Sequence, residues 1–115
     1  MAVDECLRTL SPVVTDLYPL YDEGKLRNVT YTEMANAVIA AAQEHPPVAF
    51  STYGHVGVYC KPSQIIREQA PKLGLGVKML PGVSAFDTLF ADCGFNPCQD
   101  GLVAFEATDL LQRQR

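Results

Sequence analysis

Apolar positions fall in short blocks along this chain, separated by proline, glycine and polar residues at fairly even intervals. Residues 1–9 predict a short helix that ends at Ser11-Pro12. Val13-Val14-Thr15-Asp16-Leu17-Tyr18 is rich in β-formers and bounded by Pro12 and Pro19, which predicts a strand. Pro19, Gly24 and Asn28 then mark residues 19–29 as loop. Thr30 followed by Glu33 reads as a capping box, and Met34, Val38, Ile39 and Ala42 recur at helical spacing until Pro46-Pro47.

The second half repeats the alternation. Val48 to Tyr53 is a compact, mostly apolar run of the kind buried on both faces of a parallel sheet. Pro62 suits the first turn of a helix running to about Leu73, with its last turn kinked or lost at Pro71. Gly76 to Leu80 predicts another strand, Ala85 to Cys93 a helix with Ser84 as N-cap, and Leu102 to Phe105 a further buried strand. This order implies an α/β fold: a parallel sheet with flanking helices and right-handed crossovers.

Composition narrows the function classes. The 115 residues fit one domain by size, and 48% of them are hydrophobic, too many for a disordered chain. Thirteen acidic residues against nine basic ones give a net charge of -4, which argues against a nucleic-acid partner. The longest apolar run, Ala37 to Ala42, falls far short of the ~20 residues that span a bilayer. Met1 to Arg8 lacks the order of a signal peptide, so a cytoplasmic chain with reduced thiols at Cys6, Cys60, Cys93 and Cys98 is expected. Cys93 and Cys98 are spaced too widely for a zinc half-site, and no metal is expected.

In open α/β sheets ligands bind beyond the carboxyl ends of strands. Three such ends are visible: Tyr53-Gly54-His55-Val56-Gly57, Pro81-Gly82-Val83-Ser84-Ala85 and Glu106-Ala107-Thr108-Asp109. Their glycines either serve turns or let a ligand approach the backbone. His55 is open among general base, ligand hydrogen-bonder and plain loop residue. Five tyrosines, with Arg27 between Tyr21 and Tyr31, supply phenols that donate hydrogen bonds or, near a cation, act as bases. Packing at the core edge is the ordinary alternative for each. No phosphate-binding glycine motif is present.

Several blocks carry a resemblance. Tyr53-Gly54-His55, Lys61-Pro62-Ser63, Met79-Leu80-Pro81-Gly82-Val83-Ser84-Ala85, Leu89-Phe90-Ala91-Asp92 and Phe105-Glu106-Ala107-Thr108-Asp109 together resemble the tetrapyrrole (corrin/porphyrin) methylase superfamily. More narrowly, they look like its branch related to borosin peptide-backbone N-methyltransferases. The resemblance covers residues 16–111 and implies a methyltransferase using S-adenosyl-L-methionine, with Tyr53, His55, Val58, Ser84 and Ala85 toward the cofactor. The branch surrounds its acceptor amide with a Tyr-x-x-Gly-Lys-x-Arg-x-x-Thr-Tyr segment, which here implies Tyr21, Arg27 and Tyr31, with Tyr53, as catalytic residues.

Departures accompany the match. Val56 stands where the branch has proline and Phe86 where it has an acid, and Pro71 interrupts a family helix. The family's glycine-rich first strand and its second domain are not among these residues, so an incomplete N-terminal domain is expected. Its open sheet edge invites a homodimer or a complementing chain. The function expected is methyl transfer to a peptide amide or small molecule. The alternative is a non-catalytic homologue that acts as a cofactor-binding or protein-interaction module.

Overall fold

A computed structural model describes residues 3–113, and over that span the chain is helical. Six α-helices follow in order: α1 (Val3–Leu10), α2 (Arg27–Glu44), α3 (Lys61–Gln69), α4 (Ala85–Cys93), α5 (Pro97–Asp100) and α6 (Ala107–Arg113). Two short 3-10 turns, Tyr18–Leu20 and Ala70–Leu73, precede α2 and extend α3.

The expected parallel sheet does not form. Val13–Tyr18, Val48–Tyr53, Gly76–Leu80 and Leu102–Phe105 contain no strand, and no sheet exists among the described residues. The expectation rested on β-branched, apolar composition, which is a local property. A strand also needs a neighbour about 4.8 Å away to receive its backbone hydrogen bonds, and among the described residues none links 48–53 to 76–80. At the first of these segments a competing local pattern wins: the Tyr18 N–H donates to Asp16 Oδ1 at 2.8 Å, and Pro19 enters the 3-10 turn.

The longest helix begins three residues before the expected cap. Arg27 opens α2, and Leu26 precedes it without a side-chain cap. Thr30 therefore lies one turn inside, only 1% exposed, and its N–H donates to the Leu26 carbonyl at 3.3 Å. Glu33, freed from any capping role, pairs with Lys25. Elsewhere the local signals hold. Pro62 lies in the first turn of α3, and Pro71 ends the α-helical geometry in favour of a 3-10 turn. Ser84 caps α4 in a capping box with Asp87, and Gly94 closes that helix in the left-handed conformation at φ +61°.

The core is small. Met34, Ala35 and Ile39 of α2 pack with Ile65 of α3 and with Ala70, burying Thr30 and Ser63 beside them. Beyond it, the unpaired segments 48–50 and 75–80 border an apolar groove of about 310 Å³ against Val38, Ile66 and Ala70. The chain is correspondingly open, with a radius of gyration of 16.5 Å where about 13 Å is usual for its length.

Candidate cofactor loops and acceptor cluster

Two loops approach each other closely. Gly54, at φ +76°, turns the chain after Tyr53, and Gly82 packs against it. A Cβ on Gly82 would stand 2.8 Å from the Gly54 carbonyl oxygen and 3.5 Å from the His55 Cα. Only glycine allows that contact. Within the first loop, the Val58 N–H donates to the His55 carbonyl at 2.9 Å, and the Gly57 N–H to His55 Nδ1, also at 2.9 Å. His55 Nε2 is thereby left as the donor of the ring. The buried Ser63 hydroxyl bonds to the Cys60 carbonyl at 2.8 Å and to the Val56 carbonyl, fixing the loop to α3.

The second loop ends in the cap of α4. The Phe86 N–H donates to Ser84 Oγ at 3.2 Å, while the Ser84 N–H and hydroxyl donate to Asp87 Oδ2 at 2.6 and 2.9 Å. Ser84 is buried, Ala85 exposed and Val58 half-buried. The Ser84 backbone and side-chain bonds hold the Asp87 carboxyl below the usual carboxylate range, with His55 a lesser electrostatic influence.

A second group lies at the start of α2. Tyr21 and Tyr31 meet edge to face with ring centroids 6.4 Å apart, and Tyr18 lies 5.7 Å from Tyr21. The Arg27 guanidinium is beside Tyr31, whose hydroxyl is the main influence strengthening its hold on the proton. Burial and then Tyr31 push the Tyr21 phenol above its ordinary value, against the pull of Arg27. Tyr53 adds a lesser push in the same direction. It is 94% exposed, and among the described residues no ring contact or hydrogen bond joins it to the other three.

The whole chain, residues 1–115, matches the family described as Tetrapyrrole (Corrin/Porphyrin) Methylases. The chain belongs to that family. Relatives of the chain include a methyltransferase and gymnopeptide precursor from Gymnopus fusipes, 44% identical over 100 residues, 87% of this chain and 24% of the relative. A type III borosin cyclic peptide precursor from Anomoporia bombycina is 45% identical over 87% of this chain and 12% of its own length. The omphalotin A precursor from Omphalotus olearius is 39% identical over 99% of this chain and 27% of its own. The chain thus spans about a quarter or less of these relatives.

Sequence reasoning missed two features of the site. Lys25 Nζ donates to the Leu20 carbonyl at 3.0 Å and pairs with Glu33, so it ties the loop bearing Tyr21 to the helix bearing Arg27 and Tyr31. Its signal was a lysine eight residues before a glutamate, which spacing rules for helices do not cover. Glu106 of the third loop exerts a lesser electrostatic influence on Arg27, which strand-end spacing did not connect with it. Among the described residues no helix is long and apolar enough to cross a membrane, and no group of three metal-ligating side chains occurs.

The Asp87 bonds carry a pH dependence. Because folding lowers this pKa, the stabilisation is complete above the unfolded value near 4 and disappears as pH falls through the folded value. The thermal midpoint should therefore drop on acidification below about pH 4, and Asp87→Asn should flatten that part of the curve. Identical pH profiles for the two proteins would remove Asp87 from the account.

Proposed function

We propose that this chain is the part of an S-adenosyl-L-methionine-dependent methyltransferase that carries the acceptor-side tyrosines and two cofactor loops, with a peptide backbone amide as acceptor. The observation that carries the reading is the gathering of Tyr21 and Tyr31 around Arg27. The relatives' names as cyclic peptide precursors support the choice of acceptor. The loop residues suit an adenosyl ligand: Gly54 and Gly82 leave main chain bare, His55 Nε2 remains as a polar handle, and Val58 and Met79 offer apolar surface. S-adenosyl-L-methionine, when bound, supplies an electrophilic methyl group on a sulfonium.

An amide nitrogen is a poor nucleophile until its proton leaves, and the charge then spreads onto the carbonyl oxygen. Arg27 is the cation suited to that oxygen. Tyr21, whose phenol holds its proton more tightly than usual, is suited to donate a hydrogen bond there rather than to act as base. Tyr31 and Tyr53 are the remaining phenols for the departing proton, Tyr53 also lying at the head of the cofactor loop.

The test is calorimetric titration of the chain with S-adenosyl-L-methionine and with S-adenosyl-homocysteine. Binding heat is expected with both, and silence at millimolar ligand would sink the reading for these residues. A second reading, a non-catalytic module that binds the cofactor or another chain, draws on the exposed surface. The chain exposes 9084 Å², against about 6200 Å² for a compact protein of its mass. A second copy or a complementing chain would cover the excess. Binding heat without methylation of any peptide acceptor, as read by mass spectrometry, would favour that module.

A further inference from the structure

The loop at 54–59 touches the loop at 81–86 at two points, not one. At the first, Gly82 meets the Gly54 carbonyl, main chain on main chain. At the second, the Tyr59 ring lies against Phe86, with centroids 5.6 Å apart and planes inclined by 47°. Tyr59 reaches this position with φ at +52°, a left-handed conformation that is rare for a bulky side chain and strained for it. A residue held there needs compensating contacts. Phe86 is braced in turn, since it stacks on Phe90 at 5.9 Å and Phe90 packs on Phe95 at 5.4 Å. His55, Val56, Gly57 and Val58 form the arch between the two points.

We propose that Tyr59 and Phe86 are positioning residues for the adenosyl ligand, their ring pair pinning the trailing end of the 55–58 arch to the start of α4. This rests on the reading of the two loops as the S-adenosyl-L-methionine site. The Ser63 bonds to the Val56 and Cys60 carbonyls tie the arch to α3, but without the ring pair nothing among the described residues ties its trailing end to α4. That approach must then be ordered when ligand arrives, which subtracts from affinity. Anchored at both ends, it is ordered on folding. The main-chain contact at Gly82 fixes the leading end. The ring pair does the same for the trailing end, and its left-handed tyrosine aims the chain back toward α3 and the Ser63 bonds.

The test measures S-adenosyl-homocysteine binding by calorimetry and amide hydrogen exchange over residues 55–58, both on the full 115-residue chain. Tyr59→Gly relieves the backbone strain but deletes the ring, and Phe86→Ala deletes the other ring. Each should weaken binding about fivefold and speed exchange in the arch, the span expected from losing one aromatic pair. The double variant should lose little more than either single one, because both remove the same contact. Tyr59→Phe, which keeps the ring, should restore tight binding and slow exchange. Additive losses, or single variants that bind and exchange like the parent while melting with it, overturn the proposal. If the parent binds no S-adenosyl-homocysteine, the site reading fails. Faster exchange in the ring-deleted variants would then leave a structural brace, and the positioning role falls.

Discussion

Gly82→Ala should abolish measurable S-adenosyl-homocysteine binding and lower the melting temperature, although it adds a single methyl group. The new Cβ would lie 2.8 Å from the Gly54 carbonyl oxygen, inside the closest approach that carbon and oxygen tolerate. Both partners are main chain, so neither can swing aside as a long side chain would. Forcing the methyl in should cost about 2 kcal/mol, as overpacking does elsewhere, and shift the melting temperature by roughly 10 °C.

Binding falls further than stability because the two loops separate where the ligand is proposed to lie. Gly76→Ala is the matched control. Its added Cβ meets nothing within 4 Å and its φ lies outside the left-handed range, so it should be neutral or stabilising by about 0.5 kcal/mol. Should Gly82→Ala bind and melt like Gly76→Ala, the loops are not in the contact described.

Particular residues show which parts of this arrangement a sequence discloses. Ser84, Pro62 and Pro71 act within one helical turn, and each does in the structure what its local chemistry dictates. Thr30 and Glu33 satisfy the same local rule as Ser84 and Asp87, yet Leu26 opens the helix earlier and tertiary burial claims Thr30. The rule names a possible pair of hydrogen bonds and not the competing ones. Val48 to Phe50 and Val77 to Leu80 have strand composition, but pairing is a relation between distant segments, and composition does not contain it. The grouping of Tyr21, Arg27 and Tyr31 was legible because a family segment sets them at fixed spacing. The Lys25 contacts that tie that segment together were not, since they join a loop to a helix and to a 3-10 turn.

Ile39→Ala should unfold most of the chain near physiological temperature. Ile39 is 5% exposed and belongs to a core of five apolar residues, Met34, Ala35, Ile39, Ile65 and Ala70, among the described residues. Truncating a buried isoleucine costs about 2–5 kcal/mol through lost burial and the cavity left behind. A typical domain holds only about 5–15 kcal/mol in reserve, and one with so short a core and so large a surface belongs at the low end. Ala35 and Ala70 are too short to refill the gap, and Ile39 already borders the open groove.

The loss reaches the proposed acceptor cluster, since α2 carries Arg27 and Tyr31 on its first two turns. Val103→Ala supplies the contrast. Val103 is 80% exposed, and its truncation should change stability by no more than about 0.5 kcal/mol. Circular dichroism during a thermal ramp reads both variants. An Ile39→Ala protein that melts beside the parent would mean that α2 and α3 do not hold the fold together, and the proposed acceptor cluster would then need another support.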